Sequence, residues 1–534
     1  MTRAFDLPGR SPVRATEGMV ATSHPLASSS ALRVLQDGGN AVDAAIAAVS
    51  VLCVVEPGQT GVGGDCFAIL AQPDGTLHGL NGSGRSAVGA DVDWYLERGM
   101  TNLFDHPAHC ITVPGAIRGW EKILNAHGTM GFDRVLRDAI HYAENGFPIA
   151  SRVGHGWGRD VEKLSRTEGG RRNYLTNGEA PVEGGTHAFP NLGKTLRAVA
   201  KNGSDAFYTG TIAADIAKTV QDNGGFLSEE DLANMSADWV TPITTNYGGY
   251  DIHEIPPNGA GITALILLNL LDEVDARSLN SHSAERQHAE IECARLAYSA
   301  RDTYVSDADS MTVSVERLLS DAYTCELAKG FSPEHRNPDI KLPSVPDADT
   351  VYLSVVDKDL RAVSFINSLY ESFGSGIVTN DSGIALQNRG ACFVTEKGHP
   401  NAIGPGKRPL HTIIPAMATK NGKAAWSFGV MGGAYQPIGQ AHVLSNMIDH
   451  GMDPQEALDY PRVFWDDTGD WKNLPLKLEA GVTDVVADGL RARGHQTTPA
   501  DAPHGGGQII AIDHERGVLT GASDPRKDGQ AQGY

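Results

Sequence analysis

An α+β fold is predicted by three features of this 534-residue chain. Apolar residues recur at helical spacing through its first two-thirds, and short alternating runs rich in β-branched residues and glycine turns fill the last third. A proline-rich stretch precedes the change. Residues 31–55 (ALRVLQDGGNAVDAAIAAVSVLCVV) read as two helices broken at Gly38-Gly39, the second apolar on every face and so predicted to be buried. Residues 110–145 and 285–301 carry helical spacing with charged outer faces. A strand-like segment, YDIHEI, ends at Pro256-Pro257 and precedes an apolar helix from about Ile262. Residues 332–349 hold Pro333, Pro338, Pro343 and Pro346 with few apolar side chains, which predicts an exposed, extended connector. Thr350–Asp357, a turn over 358–361 and Ala362–Tyr370 then predict a β-hairpin.

Composition narrows the function. The length suits about three or four ordinary domains. With 44 Lys+Arg against 65 Asp+Glu the net charge is −21, which argues against nucleic-acid and membrane-surface partners, since both need basic stripes. The 61 glycines, about 11 % against a usual 7 % or so, imply many tight turns or close backbone approaches. Six scattered cysteines (Cys53, Cys66, Cys110, Cys293, Cys325, Cys392) form no CxxC pair, so reduced, mostly buried thiols are expected rather than a disulfide framework or zinc knuckle. The first residues carry no apolar run and the longest such run, Ile262–Leu271, is short for a bilayer, so a cytoplasmic location is expected.

Several chemistries lack their motifs. There is no GxxxxGK[ST] phosphate cradle and no GxSxG nucleophile elbow. Gly61-Val-Gly-Gly-Asp65 lacks dinucleotide-binding spacing and reads as a tight turn. His106-Pro-Ala-His109 and His288…Glu292 lack a third ligand and read as ordinary surface or capping residues. What remains is a threonine at the start of a strand, directly behind an accessible connector. A threonine hydroxyl is a weak nucleophile without a base, but an N-terminal threonine carries one, its α-amino group, with a pKa near 8. Thr350 would gain that amine only by cleavage of the Asp349–Thr350 bond. Gly432-Gly433, in SFGVMGGAYQP, could bring backbone amides close enough to form an oxyanion hole.

Those residues resemble the γ-glutamyltransferase (glutathione hydrolase) family of N-terminal-nucleophile (Ntn) hydrolases over nearly the full length. The resemblance runs through Gly18-Met-Val-Ala21, Gly38-Gly-Asn-Ala-Val-Asp-Ala-Ala45, Gly61-Val-Gly-Gly64 and Thr112-Val-Pro-Gly-Ala-Ile-Arg-Gly119. It continues in Ala294–Asp302, the 350–370 hairpin, Phe373-Gly-Ser-Gly-Ile377, Gly404-Pro-Gly-Lys-Arg-Pro409 and Gly521-Ala-Ser-Asp-Pro-Arg526. It implies a four-layer αββα sandwich made as an inactive precursor, which cuts itself before Thr350 into a large subunit 1–349 and a small subunit 350–534 of one intertwined fold. It also implies Thr350 as nucleophile and base, Ser368 as a supporting hydroxyl, Gly432 and Gly433 as oxyanion donors, and no metal or organic cofactor. The implied partners are a small-molecule amide substrate and the chain's own two subunits, with a homodimer of processed heterodimers left open.

The departures from the family pattern bear on the substrate. The positions that usually hold a γ-glutamyl amino acid are here Tyr370 for an Asn, Cys392 for an acidic residue and His411-Thr412 for a Ser-Ser pair. Arg85 lies in the region of an upstream Arg. Loss of the acid removes a partner for an α-ammonium, whereas Arg389 adds a cation able to grip a carboxylate in a fork. Two readings therefore stand: hydrolysis or acyl transfer on γ-glutamyl or similar small carboxylated amides, and an oxamate-amidohydrolase- or cephalosporin-acylase-like activity on acyl amides without an α-amino group. An inactive family-fold binding protein is a third reading, disfavoured by the presence of Thr350, Ser368 and the glycine pair.

Overall fold

The computed structural model describes residues 9–340, 349–465 and 474–534; of Asp349 only the backbone is described. Two seven-stranded sheets organise the chain. In the first, the order is Gln530–Gly533, Met19–Thr22, Asp349–Val356, Ala362–Tyr370, Asp65–Ala71, Leu77–Gly82, Asp238–Val240. In the second it is Val13–Ala15, Val518–Ser523, Gly506–Asp513, Lys423–Met431, Ala416–Lys420, Tyr250–Glu254, Ile243–Tyr247. Neighbouring strands in both are antiparallel. Each sheet mixes strands from before and after residue 350, so neither half of the chain can complete a sheet alone.

Alternation along the strands sorts three cores. Val351, Leu353 and Val355 join Ala68, Leu70 and the helices Pro25–Gln36 and Ala41–Val55 in one apolar cluster. Tyr352 and Val356 point the other way and meet Phe67, Ile366, Met417, Met431 and Ile510 in a cluster shared by the two sheets. Ile252, Ala418, Phe428 and Ile509 lie on the second sheet's far face, under helices Gly261–Glu273, Ala284–Tyr304 and Gln436–Ile448. The sheets are also stitched by hydroxyls. Ser354 Oγ lies 2.6 Å from Ser427 Oγ, and the Tyr352 hydroxyl lies 2.9 Å from Ser354 and 2.8 Å from Ser364. Buried hydroxyls are tolerated there because they satisfy one another.

Most expected elements are present. The break at Gly38-Gly39 separates two helices, Gly38 takes φ 93°, and every residue of Ala41–Val55 is buried. The helix after Pro257 runs Gly261–Glu273, and the hairpin spans Asp349–Val356 and Ala362–Tyr370. Pro343 and Pro346 lie outside the described residues. The first part of the connector, through residue 340, is held rather than free: Arg295 donates to the carbonyls of Asn337 and Ile340.

Two expectations need correction. Helix Ala284–Tyr304 does not present a solvated charged face; Arg286, Glu290, Glu292, Arg295 and Arg301 are all buried. They are tolerated because they pair within the helix, Arg295 with Glu292 at 2.6 Å and Arg286 with Glu290 at 3.3 Å. The C-terminal third also contains a buried helix, Gln436–Ile448, besides its strands. Four of the six thiols are buried; Cys325 is exposed and Cys392 half-buried.

Candidate active site

Thr350 sits opposite an irregularity in the strand pairing. Asp349 pairs with Tyr370 and Val351 with Asn367, so Ser368 and Leu369 together face the single residue Thr350. Such a bulge re-aims side chains at a strand end. Beyond it Tyr370 adopts φ 82°, a conformation that costs a non-glycine residue energy and marks a backbone constrained by its surroundings. By alternation with Tyr352 and Ser364, Thr350 and Ser368 project between the sheets. Their hydroxyl oxygens lie 3.1 Å apart, and both residues are buried. The Ser368 oxygen accepts from Tyr370 N–H at 2.8 Å and from Arg389 at 3.3 Å.

Arg389, in a short 3₁₀ turn Arg389–Cys392, is fully buried. It donates to Thr412 Oγ1 at 2.7 Å, lies 3.9 Å from Cys392 Sγ, and stacks its guanidinium 4.3 Å from the Tyr370 ring centroid. Its Nε–H is without a partner, and it has no carboxylate partner among the described residues. Burial pushes the Tyr370 phenol well above its ordinary pKa, and the adjoining Cys392 adds to this. The hydroxyl is therefore neutral, a donor with no acceptor among the described residues. Tyr370 and Cys392 form one wall of a cleft of about 970 Å³ that also touches Leu103, Phe104, Phe393 and Asn401.

Gly432 and Gly433 follow strand Lys423–Met431, with φ 119° and 51°, and lead through a 3₁₀ turn into helix Gln436–Ile448. A Cβ on Gly432 would stand 2.7 Å from Gly505 Cα, so only glycine fits. Strand Asp349–Val356 crosses over Lys423–Met431: the Tyr352 ring fills the space a Gly429 side chain would need, and Ser354 Oγ bonds Ser427. The glycine pair thus stands at a helix N-terminus, whose amides and dipole favour developing negative charge.

Other predicted site residues are engaged differently. Arg85 is part-exposed and bound to Asp307 at 3.2 Å and the Gly406 carbonyl at 3.0 Å, and among the described residues its hydrogen bonds do not reach the Thr350 cluster. Both His411 ring nitrogens are taken, one by Asp65 at 3.1 Å and the other by the Ile413 N–H at 3.4 Å. Asp65 itself escaped the sequence reading. Its carboxylate is fully buried and also accepts from Gly84 N, Gly115 N and Gln387 Nε2 at 3.0, 3.0 and 2.9 Å. The preceding glycines explain the crowding, because a Cβ on Gly64 would sit 2.1 Å from the Ser368 carbonyl and one on Gly63 2.1 Å from that of Ala385. A signal existed: an acid directly behind Gly61-Val-Gly-Gly64 at the head of an otherwise apolar strand. Among the described residues no group of three His, Cys, Asp or Glu could hold a metal ion, and no helix is long and apolar enough to cross a membrane.

The structure thus brings together a buried hydroxyl pair at a strand start and a buried guanidinium without a carboxylate partner among the described residues, while the glycine pair ends the neighbouring strand that Tyr352 and Ser354 cross. The chain belongs to the gamma-glutamyltranspeptidase family, whose model matches residues 27–534, and it is an enzyme acting on amide bonds. It is 36 % identical over 97 % of its length to the glutathione hydrolase-like YwrD proenzyme of Bacillus subtilis (98 % of that protein covered), and 34 % identical over 97 % to the oxamate amidohydrolase proenzyme of Klebsiella pneumoniae (99 % covered). Among solved structures, cephalosporin acylase from Bacillus halodurans matches with a TM-score of 0.91 at 37 % identity, covering 100 % of this chain and 99 % of that one.

Proposed function

We propose that this chain is a self-processing Ntn amidohydrolase that cleaves itself between Asp349 and Thr350 and then turns over small amides whose acyl part carries a carboxylate, through a Thr350 acyl-enzyme. The proenzyme names of its relatives and the stacking of three apolar cores on two shared sheets support one four-layer αββα fold built from subunits 1–349 and 350–534. In this reading the freed α-amine of Thr350 takes the proton from its own Oγ1 as that oxygen attacks the amide carbon. Ser368 holds the hydroxyl in place, and the Gly432–Gly433 amides stabilise the oxyanion. The amine leaves with the proton, and water or a second amine then releases the acyl group.

The observation that carries the substrate class is Arg389. A fully buried guanidinium with an unpaired Nε–H and no carboxylate partner among the described residues is costly unless a ligand supplies the anion. An α-ammonium finds no equivalent. Asp65 already accepts four hydrogen bonds, Asp302 on the cleft wall is paired with Arg301, and the family's acidic position is Cys392. This favours acyl groups without an α-amino group, of the oxamate or dicarboxylic-monoamide type, over γ-glutamyl amides. The test is Thr350→Ala: the variant stays uncut on a denaturing gel and shows no amidase activity, whereas wild type yields fragments 1–349 and 350–534. Efficient cutting of the alanine variant would overturn the assignment. Initial rates of wild type on oxamate, glutaryl-p-nitroanilide and γ-glutamyl-p-nitroanilide then rank the substrate readings.

A further inference from the structure

Asp65 occupies a junction that the acyl-transfer chemistry does not use. It heads strand Asp65–Ala71 directly across from Ser368, so the two side chains share the inter-sheet face. One oxygen, Oδ1, gathers the N–H groups of Gly84, Gly115 and the Gln387 side chain, drawing together the turn after strand Leu77–Gly82, the lead-in to helix Ala116–His127 and the segment that carries Arg389. The other, Oδ2, is left for His411. The hydrogen bonds fix the imidazole tautomer. Nδ1 accepts from the Ile413 N–H, so the proton resides on Nε2 and is donated to Asp65. Burial, reinforced by the Arg389 charge, holds His411 down at a pKa of about 3, so the ring is neutral at working pH. The backbone around it is also tied: His411 N donates to Asn258 O, and its carbonyl accepts from Ala260 N, both at 2.8 Å. The next residue, Thr412, accepts the 2.7 Å hydrogen bond from Arg389.

We propose that Asp65 is the positioning residue of the substrate clamp: by holding the neutral His411 ring it fixes Thr412, and Thr412 fixes the Arg389 fork toward the acyl carboxylate. This rests on the reading of Arg389 as a carboxylate clamp and adds what aims it. No atom of Asp65 meets the substrate. His411 likewise acts from behind, since neither ring nitrogen is free to reach a ligand. The arrangement also explains why Asp65 tolerates burial: four donors solvate its charge in place of water.

Two variants separate aiming from bulk structure. Asp65→Asn keeps an oxygen for the three N–H donors but presents an amide NH₂ to His411 Nε2–H, so only the His411 link is lost. His411→Asn removes the ring and leaves the other three bonds of Asp65 in place. Each is assayed for self-cleavage and for kcat and KM on glutaryl-p-nitroanilide and on butyryl-p-nitroanilide, which lacks the carboxylate. Both variants are expected to raise KM for the glutaryl substrate about tenfold more than for the butyryl one, the size of losing one charge-assisted contact. Combined with Arg389→Met, neither adds a further selective loss, because the clamp they aim is already gone. A downfield imidazole N–H proton is expected by NMR in wild type and is expected to disappear from both variants. A selective effect of Arg389→Met that neither variant reproduces, or effects that add in the double variants, overturns the role of Asp65. An Arg389→Met variant that affects both substrates equally overturns the clamp reading instead. Should Asp65→Asn not fold, His411→Asn decides the same questions.

Discussion

Five of the largest fully buried side chains are arginines: Arg286, Arg295, Arg301, Arg389 and Arg462. Arg462 belongs to a cluster near the C-terminus in which every charge is answered. It bonds Asp524 at 2.6 Å, Asp524 also receives Arg526 at 3.2 Å, and Arg526 grips Glu479. Arg286, Arg295 and Arg301 each keep a carboxylate within 3.3 Å. Arg389, beside Thr350, rests only on hydroxyls, a thiol and an aromatic face. The two regions hold the same side chain at the same depth, yet one is neutralised by the fold and the other has no carboxylate beside it among the described residues, which is what the proposed clamp requires. Burial alone does not distinguish these arginines; on the proposed reading, charge compensation does.

The contrast breaks most sharply if the paired cluster is unpaired. Asp524→Asn deprives Arg462 of its carboxylate and leaves Arg526 with Glu479 alone. Breaking one side of a buried pair costs about 3–5 kcal/mol. Urea unfolding should show that loss; a variant within about 1 kcal/mol of wild type would mean the network relaxes into water. The opposite holds at the site. Arg389→Met removes a charge the fold does not compensate, so unfolding stability should stay level or rise. KM for glutaryl-p-nitroanilide should rise about 10- to 100-fold, equivalent to about 1.4–2.8 kcal/mol, with much less change for butyryl-p-nitroanilide. A destabilised Arg389→Met variant with unaltered selectivity would place Arg389 among the structural arginines.

The same contrast explains what could be seen in the sequence and what could not. The hairpin was legible because β-branched residues alternate on both sides of a polar turn; Thr350 stood out as a hydroxyl at its start and Gly432-Gly433 as a pair able to offer backbone amides, and Ser368 came with the family resemblance. Helix Ala284–Tyr304 was misjudged because charges three and four residues apart look alike whether they face water or one another; Glu292 and Arg295 satisfy each other and go inside. Helix Gln436–Ile448 was missed because it is buried nearly all round, which leaves no amphipathic stripe to detect. Asp65 was hidden because an acid after three glycines in four residues looks like turn chemistry, and its donors come from positions as distant as Gln387 and His411. Arg389 was readable as a cation, but its lack of a counter-charge depends on tertiary structure.

Acid separates the two regions most finely. Glu479 in the paired cluster is held down at about 2; although burial opposes this, the Arg526 guanidinium beside it wins. Its stabilising contribution is complete above the unfolded carboxylate range, near 4.3, and is lost only as pH falls toward 2. His411 behaves the other way round in charge but not in sign. Neutral in the fold down to about 3 and protonated in the unfolded chain below about 6.5, it lets the unfolded state bind more protons throughout that window, so stability falls as pH falls. Between pH 6.5 and 4.5 Glu479 is largely ionised in folded and unfolded states alike and adds little slope, whereas His411 does, as do other buried histidines such as His24, held at about 4, and His495, held at about 3, mainly by burial. Replacing His411 with Asn should therefore remove about one proton's worth of slope there, about 1.4 kcal/mol per pH unit, from urea-derived stability measured across pH. Asp524→Asn should lower the whole curve without changing that slope. An unchanged slope in the His411 variant would mean that the ring takes up a proton in the folded site, and the neutral tautomer that ties Asp65 to Thr412 would fail with it.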